Sequence, residues 1–173
     1  NGFTLTGVPG AGAGIRVGVP SSGLCIRNGG LSDWPQQGMD ASSADGSRFE
    51  GLRATGNGSI GLWIGSNNTL ESCVSLNNAA AGITVESGCT VIGCVARSNV
   101  VGIDAGSGCL IADCVAEVNF TAGIRATQRA TIMRCTVTNS NSDGINTGQG
   151  STVADCSVAG MVFDGIEVSN DCQ

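Results

Sequence analysis

Apolar and polar residues alternate along this chain in short segments, and the segments recur about every 21 residues. Residues 82–86 read Gly-Ile-Thr-Val-Glu, so Ile83 and Val85 share one side while the polar residues share the other. This period of two residues is typical of a half-buried β-strand rather than a helix. Turns rich in Gly, Asn and Ser separate the segments. The sequence therefore predicts an all-β chain of short strands.

The longer period identifies a tandem repeat that covers the whole chain. A glycine followed by an aliphatic residue marks each repeat: Gly14-Ile15, Gly38-Met39, Gly61-Leu62, Gly82-Ile83, Gly102-Ile103, Gly123-Ile124, Gly144-Ile145 and Gly165-Ile166. These markers divide a single domain, 1–173, into eight coils: 1–23, 24–46, 47–67, 68–88, 89–108, 109–129, 130–150 and 151–173. The chain begins inside the pattern, and we expect a processed mature form or a segment of a longer chain.

A coil of about 21 residues cannot bury its own apolar face, whereas stacked coils bury theirs against each other. Equivalent residues then lie about 4.8 Å apart in parallel strands. Three inward columns are predicted: Ile15, Met39, Leu62, Ile83, Ile103, Ile124, Ile145 and Ile166; Phe49, Leu70, Val91, Ile111, Ile132 and Val153; and Cys73, Cys94, Cys114, Cys135 and Cys156, with Leu52 in the cysteine position of the third coil. Stacked amides are predicted for Asn57, Asn78, Asn99 and Asn119.

The repeat resembles a known architecture. Its motif is aliphatic-x-x-(Asn or Cys)-x-small, then Asn, then Gly-Ile-x-Val. This pattern is similar to the right-handed parallel β-helix repeat of the pectate-lyase-like superfamily, phage tailspikes and many bacterial surface proteins. The resemblance implies a right-handed, single-stranded solenoid of about eight coils. It does not choose a function, because that fold hosts lyases, hydrolases, epimerases, adhesins and inert spacers.

The composition excludes several kinds of chemistry. The sequence has no His, Lys or Tyr, so Ser-His-Asp devices, lysine Schiff bases and a P-loop lysine are absent. A formal net charge of −6 argues against a nucleic-acid-binding surface. No run of 18 apolar residues occurs, so no membrane span is expected.

The nine cysteines are predicted to be mainly structural. The five-membered column occupies the place of small buried hydrophobes, and Cys89 and Cys109 form a second short column. We predict that Cys94, Cys114 and Cys135 are buried and free. A line of thiols does not surround one point as a tetrahedral metal site requires, so no metal is predicted there.

Most charges are predicted to pair across neighbouring coils. The expected neighbours of opposite sign are Arg16 with Asp40, Asp104 with Arg125, Arg134 with Asp113 and Asp155, Arg97 with Glu117, and Arg27 with Glu50. Opposite charges on adjacent strands stabilise a sheet by roughly 0.2–1 kcal/mol per pair. These ladders are expected to set the register and keep the surface soluble, rather than to perform catalysis.

Asp143 and Asp164 stand one repeat apart, each directly before a marker glycine. Two carboxylates so placed repel each other unless a cation or a shared proton intervenes. Three interpretations stay open: both point to solvent, they hold Ca²⁺ together with backbone carbonyls, or they act as an acid–base pair on a glycan. These two residues are the weak catalytic and calcium candidates, and no other cofactor is expected.

The two tryptophans supply a candidate ligand site. Trp63 falls in an outward column next to Asp40, and Trp34 falls in a longer 23-residue coil that leaves room for a loop. A ring flanked by polar groups can stack on a sugar while its neighbours bind hydroxyls. The alternative is that the loop folds Trp34 over the rod to cover Trp63.

These observations favour a non-catalytic structural, surface or assembly module with carbohydrate-binding capacity, located outside the cell or on its surface. The alternative is a polysaccharide-active lyase, hydrolase or epimerase. Ice binding would need regular threonine columns, and the one column present is interrupted by Leu110. Because apolar columns run into both terminal coils, end-to-end self-association or additional β-helix coils are expected to cover them.

Overall fold

The computed structural model describes residues 2–172, and over that range the regular structure consists of short β-strands without a helix. The strands are β1 (Phe3–Thr6), β2 (Ile15–Arg16), β3 (Ser21–Ser22), β4 (Cys25–Arg27), β5 (Gly29–Ser32), β6 (Met39–Ala41), β7 (Ala44–Asp45), β8 (Arg48–Glu50), β9 (Arg53–Thr55), β10 (Leu62–Ile64), β11 (Thr69–Glu71), β12 (Val74–Leu76), β13 (Ile83–Val85), β14 (Thr90–Ile92), β15 (Val95–Arg97), β16 (Ile103–Ala105), β17 (Leu110–Ala112), β18 (Val115–Glu117), β19 (Ile124–Ala126), β20 (Thr131–Met133), β21 (Thr136–Thr138), β22 (Ile145–Thr147), β23 (Thr152–Ala154), β24 (Ser157–Ala159) and β25 (Ile166–Val168). No helix within residues 2–172 is long and apolar enough to cross a bilayer.

The strands form three parallel sheets that wind into a right-handed solenoid, as predicted. The first sheet has the order β1-β5-β9-β12-β15-β18-β21-β24, the second β2-β6-β10-β13-β16-β19-β22-β25, and the third β4-β8-β11-β14-β17-β20-β23. A two-stranded pair, β3-β7, accompanies the first two coils. Because the first coil adds no strand to the third sheet, the eight repeats make about seven turns.

Three sharp bends in each turn join the sheets, and each bend uses a residue with positive φ. At the bend between the first and second sheets these include Asn77 (φ 53°), Ser98 (56°) and Asn139 (55°). Asparagine, serine and glycine tolerate this conformation because their side chains are small or bond locally. Val118 occupies the equivalent position with φ 55°. A β-branched residue is strained there, so this bend is less favourable than its neighbours.

The predicted inward columns form the core. The glycine–aliphatic column runs in register through the second sheet from Ile15 to Ile166. The column from Phe49 to Val153 runs through the third sheet. Ile103 and Ile111, from the middle of each column, are fully buried. Parallel stacking places each side chain on its equivalents above and below, which excludes water from the interior.

The predicted asparagine stack is present in the bends before the second sheet. Asn57 N–H donates to Asn78 Oδ1 at 3.0 Å, Asn78 N–H to Asn99 Oδ1 at 3.0 Å, and Asn99 N–H to Asn119 Oδ1 at 3.1 Å. All four side chains are buried. Each amide thus satisfies a backbone donor of the preceding coil, which is what a buried bend requires.

All nine cysteines are free, and Cys94, Cys114 and Cys135 are buried, as predicted. Their thiols hydrogen-bond to main-chain carbonyls; the Cys94 Sγ donates to Ile92 O at 3.5 Å. Hydrogen bonding with Cys114 and Cys73 is the main cause of a raised pKa for the Cys94 thiol, and burial raises it further. Hydrogen bonding with Cys114 and burial likewise raise the pKa of Cys135. The Cys94 and Cys135 thiols therefore remain protonated inside the core.

Candidate functional site

The outer face of the second sheet carries the outward column that the sequence predicted. Its members lie in register on successive strands: Arg16, Asp40, Trp63, Thr84, Asp104, Arg125, Asn146 and Glu167. Strand alternation directs these side chains outward, because the residues on either side of each point into the core. A ligand on this face meets one such side chain per turn, about every 4.8 Å.

An open groove of about 470 Å³ runs along the middle of this face. Its floor consists of the outward residues of four successive turns, Trp63, Thr84, Asp104 and Arg125, with Glu86 beside them. Bends between the first and second sheets form a largely apolar wall: Ile60, Ala80, Ala81, Val100, Val101 and Thr121. This volume lies in the usual range for ligand-binding clefts. The groove therefore combines an aromatic and charged floor with an apolar side.

Trp63 is the aromatic residue of the groove and is half-buried. Its indole Nε1 donates a hydrogen bond to Glu86 Oε1 at 3.3 Å, which restrains the ring. Thr84, its neighbour in the register, has a hydroxyl oxygen without a hydrogen-bond partner among residues 2–172. Adjacent turns thus present a ring and a carboxylate to the groove, with a buried hydroxyl that has no partner beside them.

The charged pair Asp104–Arg125 forms the other end of the floor. Arg125 Nε donates to Asp104 Oδ1 at 2.9 Å, and its Nη2 donates to Oδ2 at 2.6 Å. Hydrogen bonding to this carboxylate raises the pKa of Arg125. The bidentate geometry holds both side chains in one orientation and neutralises their charges. The Asp104–Arg125 ion pair, which the repeat predicted, therefore belongs both to the groove floor and to the outward column of charged residues.

The structure brings two of the three predicted ligand residues together. Asp40 lies beside Trp63 in the register, where its Oδ1 accepts from Ser42 Oγ at 2.8 Å and its Oδ2 lies 3.5 Å from Arg16 Nε. Trp34 is elsewhere: it packs against the core of the first coils, and its Nε1 donates to Leu5 O at 3.3 Å. Trp34 therefore covers the first coil and neither lines the groove nor covers Trp63.

Asp143 and Asp164 lie one turn apart, as expected, but both carboxylate oxygens of Asp143 already accept hydrogen bonds. Its Oδ1 accepts the backbone N–H of Asp164 at 3.3 Å, and its Oδ2 accepts Asn146 Nδ2 at 3.4 Å. Residues 2–172 contain no group of three or more acidic, Cys or His side chains placed to hold a metal. The calcium and acid–base interpretations of this pair stay predictions.

The remaining ladders follow the predicted register with two corrections, and the first is that Arg134 makes no ion pair with Asp155 among residues 2–172. Arg134 binds Asp113 through two hydrogen bonds of 2.8 Å, which lower the pKa of the Asp113 carboxyl. Arg97 lies 3.6 Å from Glu117. Arg27 is level with Glu50 in the register, yet within residues 2–172 it forms no ion pair.

Arg48, rather than Arg27, forms the ion pair with Glu50. It binds Glu71 at 2.6 Å and Glu50 at 3.3 Å. The Glu71 contact is diagonal, between different positions of neighbouring strands, so the repeat spacing did not reveal it. Longer side chains reach diagonal neighbours readily.

The groove wall was missed at the sequence level, although a signal was present. Turns are usually polar, yet Ala79-Ala80-Ala81 and Val100-Val101 place apolar residues in the bends directly before two marker glycines. Such residues are conspicuous in a bend because they gain nothing from contact with water. Their alignment beside Trp63 depends on the pitch of the bends, which the spacing alone does not define.

The fold and its repeat define a class of protein. Residues 4–109 match the family model described as "Right handed beta helix region". This match covers more than half of the chain, so the protein belongs to the right-handed β-helix family.

Two solved structures show how widely the architecture is shared. The chain is similar to the A-module of Azotobacter vinelandii mannuronan C-5 epimerase AlgE4, with 15% identity, a TM-score of 0.65, and coverage of 88% of this chain and 57% of that one. The chain is also similar to the A-module of mannuronan C-5 epimerase AlgE6 from the same organism, with 14% identity and a TM-score of 0.59. That match covers 86% of this chain and 58% of the AlgE6 module. The chain thus spans less than two thirds of either module. No curated protein sequence matches it.

Proposed function

We propose that this protein is a non-catalytic β-helical module that binds carbohydrate in the groove containing Trp63. The observation that carries the proposal is the half-buried Trp63 ring on the floor of a 470 Å³ groove, beside polar groups supplied by successive turns. Sugars present an apolar ring face and a polar hydroxyl rim, and aromatic side chains stack on the first while polar groups bind the second. The groove offers both kinds of contact side by side.

Repeat geometry favours an extended ligand over a compact one. The floor residues come from four successive turns, so the groove is roughly 14 Å long at the strand spacing. A linear glycan laid along it would contact Trp63 first, Thr84 next, and the Asp104–Arg125 pair last. Because these side chains project from strands of a rigid rod, little ordering cost accompanies binding.

The existing hydrogen bonds favour binding over catalysis in this groove. Both carboxylate oxygens of Asp104 accept from Arg125, and Glu86 accepts from the Trp63 indole. A general acid or base must be free to exchange a proton with the substrate. Catalysis here would first require breaking these contacts, whereas recognition can use them as they stand. We also propose an extracellular or cell-surface location for this module.

The test is a panel of neutral and acidic oligosaccharides, with binding followed by tryptophan fluorescence and calorimetry. We expect at least one linear glycan to bind wild type, and Trp63→Ala to weaken that binding at least tenfold. Phe163→Ala is the matched control, because Phe163 is an exposed aromatic residue of the last coil, 72% accessible and outside the groove. It should bind as wild type does.

Two outcomes would overturn this proposal. Equal binding by wild type and Trp63→Ala would remove the groove as the site. Release of unsaturated, shortened or epimerised products from polyuronates, lost in Asp104→Asn, would instead establish the enzyme alternative that the epimerase likeness suggests.

We also propose that the apolar columns support end-to-end association or stacking of further coils. In the last coil Ile166 is 45% accessible, whereas the equivalent Ile145 is fully buried. Glu167, at the end of the outward column, would lie beside Arg16 of a second copy stacked in register. Light scattering over a concentration series tests this: wild type should gain mass with concentration, and Ile166→Asp should not. A mass independent of concentration in both proteins would contradict self-association.

A further inference from the structure

A second concave site lies on the outer face of the first sheet, away from the groove. One outward column there contains Thr4, Gly30 and Arg53 in register, followed by Val74 on the next turn. Gly30 has no side chain, so the column is interrupted and a notch of about 310 Å³ forms above its backbone. We refer to this site as the Gly30 notch.

Arg53 is the charged residue of the notch, and it has no partner. Five of the eight arginines form ion pairs within the described part of the chain: Arg16, Arg48, Arg97, Arg125 and Arg134. Arg53 forms neither an ion pair nor a side-chain hydrogen bond among residues 2–172, and its register neighbours Gly30 and Val74 are uncharged. Its guanidinium therefore keeps its charge and its donors available beside an open cavity.

Hydroxyl groups complete the lining. Thr4, Ser32 and Thr55 all border the notch. The Thr55 hydroxyl oxygen is buried without any hydrogen-bond partner among the described residues, which is unusual because buried polar atoms are nearly always paired. Ser32 Oγ makes only a long contact of 3.5 Å with Thr6 Oγ1. The notch thus contains one unpaired cation, two accessible hydroxyls (Thr4 and Ser32) and one buried hydroxyl that has no partner (Thr55).

We propose that the Gly30 notch binds an oxyanion, a carboxylate, sulfate or phosphate group. A guanidinium binds such groups through two parallel hydrogen bonds, and hydroxyls donate to the remaining oxygens. The local charge favours an anion here, because no acidic side chain among residues 2–172 lines the notch although the whole chain carries a net charge of −6. The site uses none of the groove residues, so it does not depend on the proposed glycan binding.

Filling the notch is a clean structural test. A Cβ added at Gly30 would lie 3.7 Å from Thr4 Oγ1 and 3.8 Å from Thr4 Cγ2, which are ordinary contacts. Valine already occupies the same column at Val74 and Val95. Gly30→Val should therefore fold with an unchanged or higher melting temperature while its side chain occupies the space of the anion.

The experiment is an NMR titration of the full chain with sodium sulfate against sodium chloride at equal ionic strength. We expect saturable shifts of the Gly30 and Arg53 amides and of the Arg53 Nε–H with sulfate only. Arg53→Gln and Gly30→Val should each weaken this binding at least tenfold. Arg129→Gln is the matched control, because it removes the same charge from an exposed arginine three coils away and should bind sulfate as wild type does.

Three results would overturn the proposal: no sulfate-specific shifts in wild type, equal weakening in Arg129→Gln and Arg53→Gln, or undiminished binding in Gly30→Val. Further titrations with acetate, glucuronate, phosphate and glucose 6-phosphate identify the source of the group. Tighter binding of the sugar acids than of the free ions would assign the oxyanion to an acidic sugar, whereas equal binding would assign it to a free ion. Either result keeps the site.

Discussion

The central coils and the last coil contain the same inward pattern in different surroundings. Ile145 and Ile166 are consecutive members of one column and pair in register. Ile145 is fully buried, whereas Ile166 is 45% accessible and its coil also exposes Phe163 and Val168. The residue type and the strand are alike in both coils. The difference lies in the coil that follows, which exists for Ile145 and is absent from the described structure for Ile166.

This comparison shows where the stability of a solenoid comes from. A strand of three residues has almost no favourable contacts of its own, and each coil is stabilised by the surface of its neighbours. The same apolar side chain therefore contributes differently according to how many neighbours its coil has. Four experiments can test or refine this contrast.

The largest effect is expected from changing the register of a central coil. Inserting one alanine after Ile103 should turn the following inward side chains outward, because side chains alternate with a period of two. We expect loss of cooperative unfolding and aggregation, measured by circular dichroism and size-exclusion chromatography. The same insertion after Ile166 is the control and should leave the melting transition in place. Wild-type melting in the Ile103 insertion variant would refute the assignment of coils.

The second experiment removes equivalent side chains from the two regions. Ile103→Ala should lower the free energy of unfolding by about 2–5 kcal/mol, because it leaves a cavity in a fully packed column. Ile166→Ala should cost under about 1 kcal/mol, since its side chain is already half in water. Urea unfolding of both variants measures the difference. Similar losses at the two positions would contradict the neighbour-coil explanation.

The third experiment uses pH to examine the buried thiols. The sequence has no Lys or Tyr, so thiols dominate titration between about pH 8.5 and 11. The pKa values of Cys94 and Cys135 are raised in the folded state above the ordinary 9.0. Above pH 9 the unfolded state therefore binds fewer protons than the native state, and the free energy of unfolding falls as pH rises.

Above the unfolded-state pKa, the free energy of unfolding should fall by about 1.4 kcal/mol per pH unit for each such thiol. Below that pKa, the stabilisation should be fully present. Urea unfolding at pH 8, 9 and 10 under reducing conditions measures it. Cys94→Ala should start less stable but lose less with rising pH. A stability independent of pH over this range would show that these thiols ionise in the folded protein.

The smallest effect is a gain in stability at one bend. Val118→Asn should stabilise the protein by about 1 kcal/mol, because asparagine accepts the positive φ that valine resists. Asn77 and Asn139 already occupy this position in other turns. Val100→Asn is the control, since it replaces a similarly exposed valine, 36% accessible against 44% for Val118, at a bend position without positive φ. A gain in both variants would indicate that lower surface hydrophobicity, rather than relief of strain, is responsible.

Much of the fold could be predicted from the sequence because a repeat is a local and redundant signal. Every coil contains the same glycine–aliphatic marker, so an error in one coil is corrected by the others. The columns through Ile103 and Ile111, the asparagine stack and the buried thiols all follow from a period of 21. Irregular features were harder, and the longer second coil illustrates this: Trp34 was expected either to bind a ligand or to cover Trp63, but its indole donates to Leu5 O instead.

The candidate sites depend on features that the repeat does not encode. Glu86 reaches Trp63, and Arg48 reaches Glu71, through diagonal contacts whose partners are set by side-chain length and rotamer. The Gly30 notch needs both a missing side chain and an arginine left without a partner on the next turn. None of these follows from spacing along the chain.

The sequence by itself determined the strands, their register and the composition of the core, because these depend on the alternation of apolar residues and on a constant repeat length. Tertiary structure alone decided which outward residues share a cavity, which charges find partners and which remain free. The physical reason is that the core is defined by contacts between equivalent positions. A surface site such as the Trp63 groove is defined by contacts between unlike positions, brought together only by the pitch and the bends of the folded rod.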